Sequence, residues 1–169
     1  KIEDYPSTAN FGDGVRNYYQ EDIYVGYRYF ETVAREKVMY PFGYGLSYTE
    51  FQEEINEFHE SDGEITLTVT VRNTGNRIGR QVVQIYVEAP QGKLGKPAKV
   101  LAGFEKTRQL GPGEKEELEF HILPYTFASY DDKGATGHAY SYVLEPGEYR
   151  VYAGRNVRDT VCGGVFSLG

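Results

Sequence analysis

Glycosyl and acid–base chemistry needs carboxylates that converge on one bond, and Glu21-Asp22 is an adjacent acidic pair set among Tyr18, Tyr19 and Tyr24. Neighbours on an extended chain point to opposite sides. The pair therefore reads as structural, with a carboxylate pairing Arg28 or capping a turn. Tyr18, Tyr19, Tyr24, Tyr27 and Tyr29 could wall a sugar site, because aromatic faces suit the apolar faces of sugars. In a wrapping segment such residues read first as interdomain packing, with each hydroxyl reaching a polar partner.

The remaining candidates dissolve one by one. His59, His121 and His138 are far apart, with no i,i+4 pairing and no cysteine companion, so no zinc site is assigned. His121 falls on the outward face of its strand. Asp131-Asp132-Lys133-Gly134 lacks the alternating ligands and terminal Glu of a calcium loop and reads as a turn. Gly43-Tyr44-Gly45 has no Lys and Ser/Thr to hold phosphate and metal. Glu53, Glu54, Glu57, Glu60, Asp62 and Glu64 read as a solvated strand face and a turn. Cys162, beside Thr160 and Val161, reads as a small buried hydrophobe. No catalytic, substrate-binding or metal-ligating residue is assigned, and no cofactor.

The elements that could position these groups are strands. From Ile65 onward, Ile65, Leu67, Val69 and Val71 alternate with Thr66, Thr68, Thr70 and Arg72, a half-buried strand. Val83, Ile85 and Val87 alternate with Gln84, Tyr86 and Glu88. Leu118, Phe120 and Ile122 alternate with Glu117, Glu119 and His121. Tyr149, Val151 and Ala153 form another such set, a less regular strand centres on Phe104, and a last one runs near Val161 to Leu168. Asn73-Thr74-Gly75-Asn76, Gly111-Pro112-Gly113 and Glu145-Pro146-Gly147 mark turns. Residues 49–60 could form a helix, but Phe51, Ile55 and Phe58 fit a first strand with an acidic outer face better. The pattern predicts an all-β antiparallel sandwich.

Residues 1–49 are different. They hold nine of the 16 tyrosines, together with Phe11, Phe30 and Phe42, and glycines punctuate them without a sustained period. So many aromatics call for burial against something. The chain thus divides into an irregular aromatic arm, 1–49, and a sandwich, 50–169. A net charge of -7 with no basic cluster argues against a nucleic-acid module. No apolar run near 18 residues points to a membrane. A single cysteine and the lack of an N-x-Ser/Thr sequon lead to an expected cytoplasmic location.

Two motifs carry a resemblance. Tyr18-x-x-Glu21-Asp22-Ile23-Tyr24-Val25-Gly26-Tyr27-Arg28-Tyr29-Phe30, followed by Pro41-Phe42-Gly43-Tyr44-Gly45-Leu46-Ser47-Tyr48-Thr49, resembles the end of the α/β sandwich domain of family 3 glycoside hydrolases of the β-glucosidase type. Val71-Arg72-Asn73-Thr74-Gly75, Val82 to Val87, Leu101-x-Gly103-Phe104-Glu105-Lys106, Leu110-x-Pro112-Gly113-Glu114 and Pro146-Gly147-Glu148-Tyr149 resemble that family's fibronectin type III-like domain. The resemblance implies a parent with a (β/α) barrel, an α/β sandwich domain and this immunoglobulin-like sandwich. It also implies retaining hydrolysis of terminal β-linked sugars, most often glucose, by two carboxylates about 5–5.5 Å apart.

In the family the nucleophile is a barrel Asp and the acid/base a Glu earlier in the α/β domain. Neither motif occurs here. Ser61-Asp62-Gly63 shares Ser-Asp with the nucleophile's setting but lacks its aromatic residue. The resemblance leaves open whether Arg16 and Asn17 face the parent's active-site mouth. It also leaves the domain order open, since the long Tyr130 to Tyr149 segment is similar to that of circularly permuted members.

The chain alone is expected to be inactive, with a structural task of docking and stabilising the catalytic domains. Its expected partners are those domains, with β-glucoside substrate reached through the parent only; a homo-oligomer is a further option. The competing reading is a carbohydrate- or protein-binding sandwich without hydrolase context. It requires exposed aromatics on the sandwich, for which Tyr86, Tyr140, Tyr142 and Tyr152 are the candidates.

Overall fold

The computed structural model describes residues 1–9, 12, 14–16 and 18–169; Phe11 and Asn17 lie outside them. Nine strands follow the arm: β1 (Phe51–Ser61), β2 (Glu64–Asn73), β3 (Val82–Glu88), β4 (Val100–Lys106), β5 (Lys115–Ile122), β6 (Ser129–Asp131), β7 (Ser141–Val143), β8 (Gly147–Gly154) and β9 (Thr160–Leu168). Residues 51–60 are accordingly strand, not helix.

The strands form a sheet of order β1-β2-β5 and a second of order β4-β3-β8-β9, with β6-β7 as a separate two-stranded ribbon. The pairs within each are antiparallel. Each main sheet turns one face inward. Ile65, Leu67, Val69 and Val71 from one sheet and Val83, Ile85, Val87, Val151 and Ala153 from the other meet in a single core with Leu118, Phe120 and Phe166.

The β1–β2 connection shows how local chemistry sets register. Ser61 pairs with Glu64 across the two-residue loop Asp62-Gly63. Both loop residues have positive φ, 53° and 81°, as a primed hairpin turn requires, and Asp-Gly is a sequence that accepts it readily. The Glu60 carboxylate accepts the Gly63 N–H at 2.6 Å. With this register fixed, Val69 is fully buried while Thr68 looks outward, half-buried.

Val69→Ala should lower unfolding free energy by about 2–4 kcal/mol, through lost apolar burial and the cavity left behind. Thr68→Ala should cost well under about 1 kcal/mol. Urea denaturation of the two variants checks this, and equal losses would mean the register is wrong.

One expectation is corrected. Cys162 is exposed rather than buried, and Val161 beside it is 67% exposed. The register slips between Val151 and Tyr152 where β8 meets β9, so the alternation of inward and outward positions breaks there. β9 is also an edge strand. The strand expected around Phe104 is β4, and Phe104 itself is 69% exposed. Against β9, Phe58 from β1 packs so closely that a Cβ on Gly164 would come within 2.3 Å of its ring. Glycine there is what lets the two sheets close at that corner.

The arm contains a short helix, α1 (Tyr27–Val33), and three-residue or four-residue 3₁₀ turns near its start and end. Seven residues give only two turns, too few for an apolar period to show in the sequence.

Candidate docking surface

Gln84 and Tyr86, on the outward face of β3, are not solvated, because the arm covers them. Tyr27, the first residue of α1, stacks on Phe42 with centroids 4.2 Å apart and meets Tyr86 edge-on at 6.5 Å. Its hydroxyl accepts the Leu101 N–H at 2.8 Å, which fixes the ring to the start of β4. Tyr86 is fully buried. Its hydroxyl donates to Gln84 Oε1 at 2.6 Å, and Gln84 Nε2 donates to Arg155 O at 2.6 Å and Gly43 O at 3.3 Å. Burial raises the Tyr86 phenol well above its ordinary range, with Tyr27 and Glu31 adding to the effect. Tyr86 is therefore correctly read as outward from the core, but the arm removes it from solvent.

A second anchor is ionic. Arg158 Nε lies 2.9 and 3.0 Å from the two carboxylate oxygens of Glu31, and Nη2 lies 2.9 Å from Oε1. Arg158 Nη2 also donates to Arg35 O at 2.8 Å. The Glu31 side chain is 6% exposed, so this fork pairing is shielded from water and geometrically demanding. Thr32 Oγ1 accepts the Ala98 N–H at 2.9 Å, and the Val157 N–H donates to Phe42 O at 3.0 Å. Sequence reading missed Glu31–Arg158. The partners are 127 residues apart, and neither belongs to a periodic element face.

Two buried polar clusters hold the loops beneath this surface. The Glu145 carboxylate accepts the N–H groups of Lys93 and Leu94 at 2.6 and 3.2 Å, and Lys96 Nζ lies 2.6 Å from Oε2. Both side chains are about 5% exposed or less. Burial pushes the Glu145 carboxyl up, but the Lys96 ammonium and the two N–H groups outweigh it and leave it below its ordinary value. Asn73 is fully buried and sits at the end of β2, between the arm and the β4–β5 turn. Its Oδ1 accepts Thr49 Oγ1 and the Gly75 N–H, and its Nδ2 donates to Arg77 O and Leu110 O.

The other candidate residues scatter. Glu21-Asp22 forms a turn, with Asp22 at φ 48° and the Tyr24 N–H donating to Glu21 O at 2.7 Å. No ion pair joins either carboxylate to Arg28 among the described residues, which corrects that pairing. Tyr24 donates to Lys96 O at 3.5 Å, Arg16 Nη1 to Tyr18 at 3.4 Å, and Tyr29 packs edge-on against Phe30. Asp62 is a turn former.

His59, His121 and His138 remain apart; His121 faces out beside Glu119 at 3.1 Å. The Asp131 turn is built on its own carboxylate. Within the acidic stretch, Glu53 departs from the expected solvated face, since it accepts from Gln81 Nε2 at 2.7 Å and burial raises its carboxyl. Tyr152 is covered as well, with Lys99 Nζ 3.8 Å from its ring centroid and its hydroxyl donating to Glu88 at 2.7 Å. Burial, then Glu88, pushes that phenol up to about 12.

The arm spends only part of its apolar surface on these contacts. Tyr19, Met39, Leu46 and Tyr48 remain 83–95% exposed. An anchored scaffold that still presents large apolar side chains is the geometry of a docking element.

Known proteins share this sequence and fold. Residues 81–157 match the fibronectin type III-like domain family. A β-glucosidase from Ruminococcus albus is 50% identical over 157 residues, covering 93% of this chain and 16% of that protein. The crystal structure of a β-glucosidase from Paenibacillus barengoltzii superposes with a TM-score of 0.95 at 49% identity, over 100% of this chain and 19% of that one.

The chain carries the fibronectin type III-like domain of family 3 β-glucosidases.

β-Glucosidase 3B from Thermotoga neapolitana, solved with α-D-glucose, shares the fold at a TM-score of 0.85 and 39% identity, covering 99% of this chain and 23% of that one. The chain spans about a fifth of the length of these relatives. The likeness covers the arm together with the sandwich, so in the relatives too the aromatic segment accompanies the fibronectin type III-like domain.

Proposed function

We propose that this fibronectin type III-like portion is the structural part of a retaining β-glucosidase-type hydrolase. In this reading it docks against the barrel and α/β sandwich domains and holds their geometry, while the parent hydrolyses terminal β-linked glucosyl residues. The observation that carries the proposal is the arm: its inner aromatics are fixed to β3 and β4, while Tyr19, Met39, Leu46 and Tyr48 stay exposed. The division at residue 49 and a cytoplasmic location, suggested by the single cysteine, belong to the same proposal.

Hydrolysis requires two converging carboxylates, and the candidates here are spent on turns and anchors. Purified chain assayed at high concentration with an aryl β-glucoside should show only background hydrolysis. Turnover that disappears on Asp62→Ala would overturn the assignment.

A further inference from the structure

The insert between β5 and β8, which carries β6 and β7, makes none of the arm's anchoring contacts to β3, β4 and Arg158. It lines a groove of about 620 Å³ together with residues 93–97 and the arm's Asp22, Ile23 and Arg28. Tyr125, Tyr130 and Tyr142 stand there between half and two-thirds exposed. Tyr142 lies 4.5 Å from Tyr125 and 5.2 Å from Tyr130, with planes at 57° and 61°. The three rings form an angled wall rather than a flat patch.

The wall stands beside a loop held firmly in one shape. Asp131, fully buried, accepts the N–H groups of residues 133, 134, 135 and 136 and the Thr136 hydroxyl. The Tyr140 N–H closes back on Asp131 O at 2.7 Å. Preorganisation of this kind lowers the entropy lost on binding. Tyrosine, with only two side-chain torsions, adds contact area cheaply in the same sense.

Charge and size decide the ligand class. Four cations, Arg28, Lys93, Lys96 and Lys133, face two carboxylates, Asp22 and Asp132, around the groove; Lys96 is spent on Glu145, and the surplus left is a single positive charge, too little to define an anion site. The volume falls within the roughly 300–1,000 Å³ usual for small-ligand sites. Aromatic faces with hydrogen-bonding groups of both kinds at the rim suit a ligand that has apolar ring faces and many hydroxyls.

We propose that this groove binds a neutral oligosaccharide, stacked on Tyr142 and Tyr130 and hydrogen-bonded by Lys93 and Asp132. The proposed binding does not depend on the parent's activity.

Titrating the ¹⁵N-labelled chain with laminaritriose, to tens of millimolar, tests it. Saturable amide shifts should be confined to residues 93–97, 129–132 and 141–143. Tyr142→Ala and Tyr130→Ala should each weaken the apparent affinity severalfold, and together roughly tenfold. Unchanged amide positions at Ile65 and Val151 would show that the variants keep their core, and inorganic phosphate should give no saturable shift. No saturable shift with the trisaccharide, shifts spread elsewhere, or phosphate binding in its place would each overturn the proposal. The wild-type map decides even if a variant fails to fold.

Discussion

Glu145→Leu should lower the unfolding free energy of the chain by about 3–5 kcal/mol, measured as a shift of the urea midpoint at unchanged slope. The substitution leaves the Lys96 ammonium, 4% exposed, without its counter-ion. It also orphans the Lys93 and Leu94 N–H groups that now end on Glu145. The cost comes from an uncompensated buried charge rather than from the worth of the pair. Lys96→Met/Glu145→Leu should therefore recover much of the loss.

The pH dependence has a definite sign. The folded Glu145 carboxyl lies below its unfolded value, so the unfolded chain binds more protons as pH falls through the interval between them. Stability is present above the ordinary carboxylate range and is lost as pH drops below it. Glu145→Gln should flatten this slope. A Glu145→Leu loss under about 1 kcal/mol would show that the pair is solvated.

Asn73→Ala is expected to cost about 3–4 kcal/mol, the second-largest loss from a single side chain. All four hydrogen-bonding positions of the Asn73 amide are used, at 2.7–3.1 Å, and together they tie Thr49, the loop of Gly75 and Arg77, and Leu110. Truncation strands the Arg77 carbonyl and the Thr49 hydroxyl, and leaves the Leu110 carbonyl with only the Gly79 N–H and the Gly75 N–H with only Glu50 O; each group left unpaired costs about 1–3 kcal/mol unless water reaches it. Thr49→Ala removes one of these partners alone and should cost about 1 kcal/mol. Comparable losses from the two variants, read in the same denaturation experiment, would contradict the central place given to Asn73.

The strands that bury one face were legible because a period of two leaves its mark in residue type. Val69 and Thr68, or Phe120 and His121, announce their sides. β3 misleads for the opposite reason. Its outer face is capped by the arm, so Gln84 and Tyr86 are buried along with Val83 and Ile85, and polarity no longer reports exposure. Cys162 was misplaced because a register slip in the partner strand resets alternation, and an edge strand is free to be exposed on residues of any type.

The arm's composition revealed that it packs, but not where. The fixed points, Tyr27 on Leu101 and Glu31 on Arg158, are single long-range contacts without a repeating pattern. Lys96–Glu145 was hidden in the same way, since its partners lie 49 residues apart in sequence.

The central claim is that the chain docks catalytic domains through the apolar side chains its arm leaves exposed. Met39→Ser, Leu46→Ser and Tyr48→Ser, combined in one variant, test it most directly, in the chain alone and in the whole enzyme. In the chain alone the triple variant should change unfolding free energy by less than about 1 kcal/mol, because the three side chains are 83–95% exposed. In the whole enzyme it should depress both thermal midpoint and β-glucosidase turnover together, as the domains lose their shared apolar contact. Full activity and an unchanged midpoint in the whole enzyme would contradict the docking assignment.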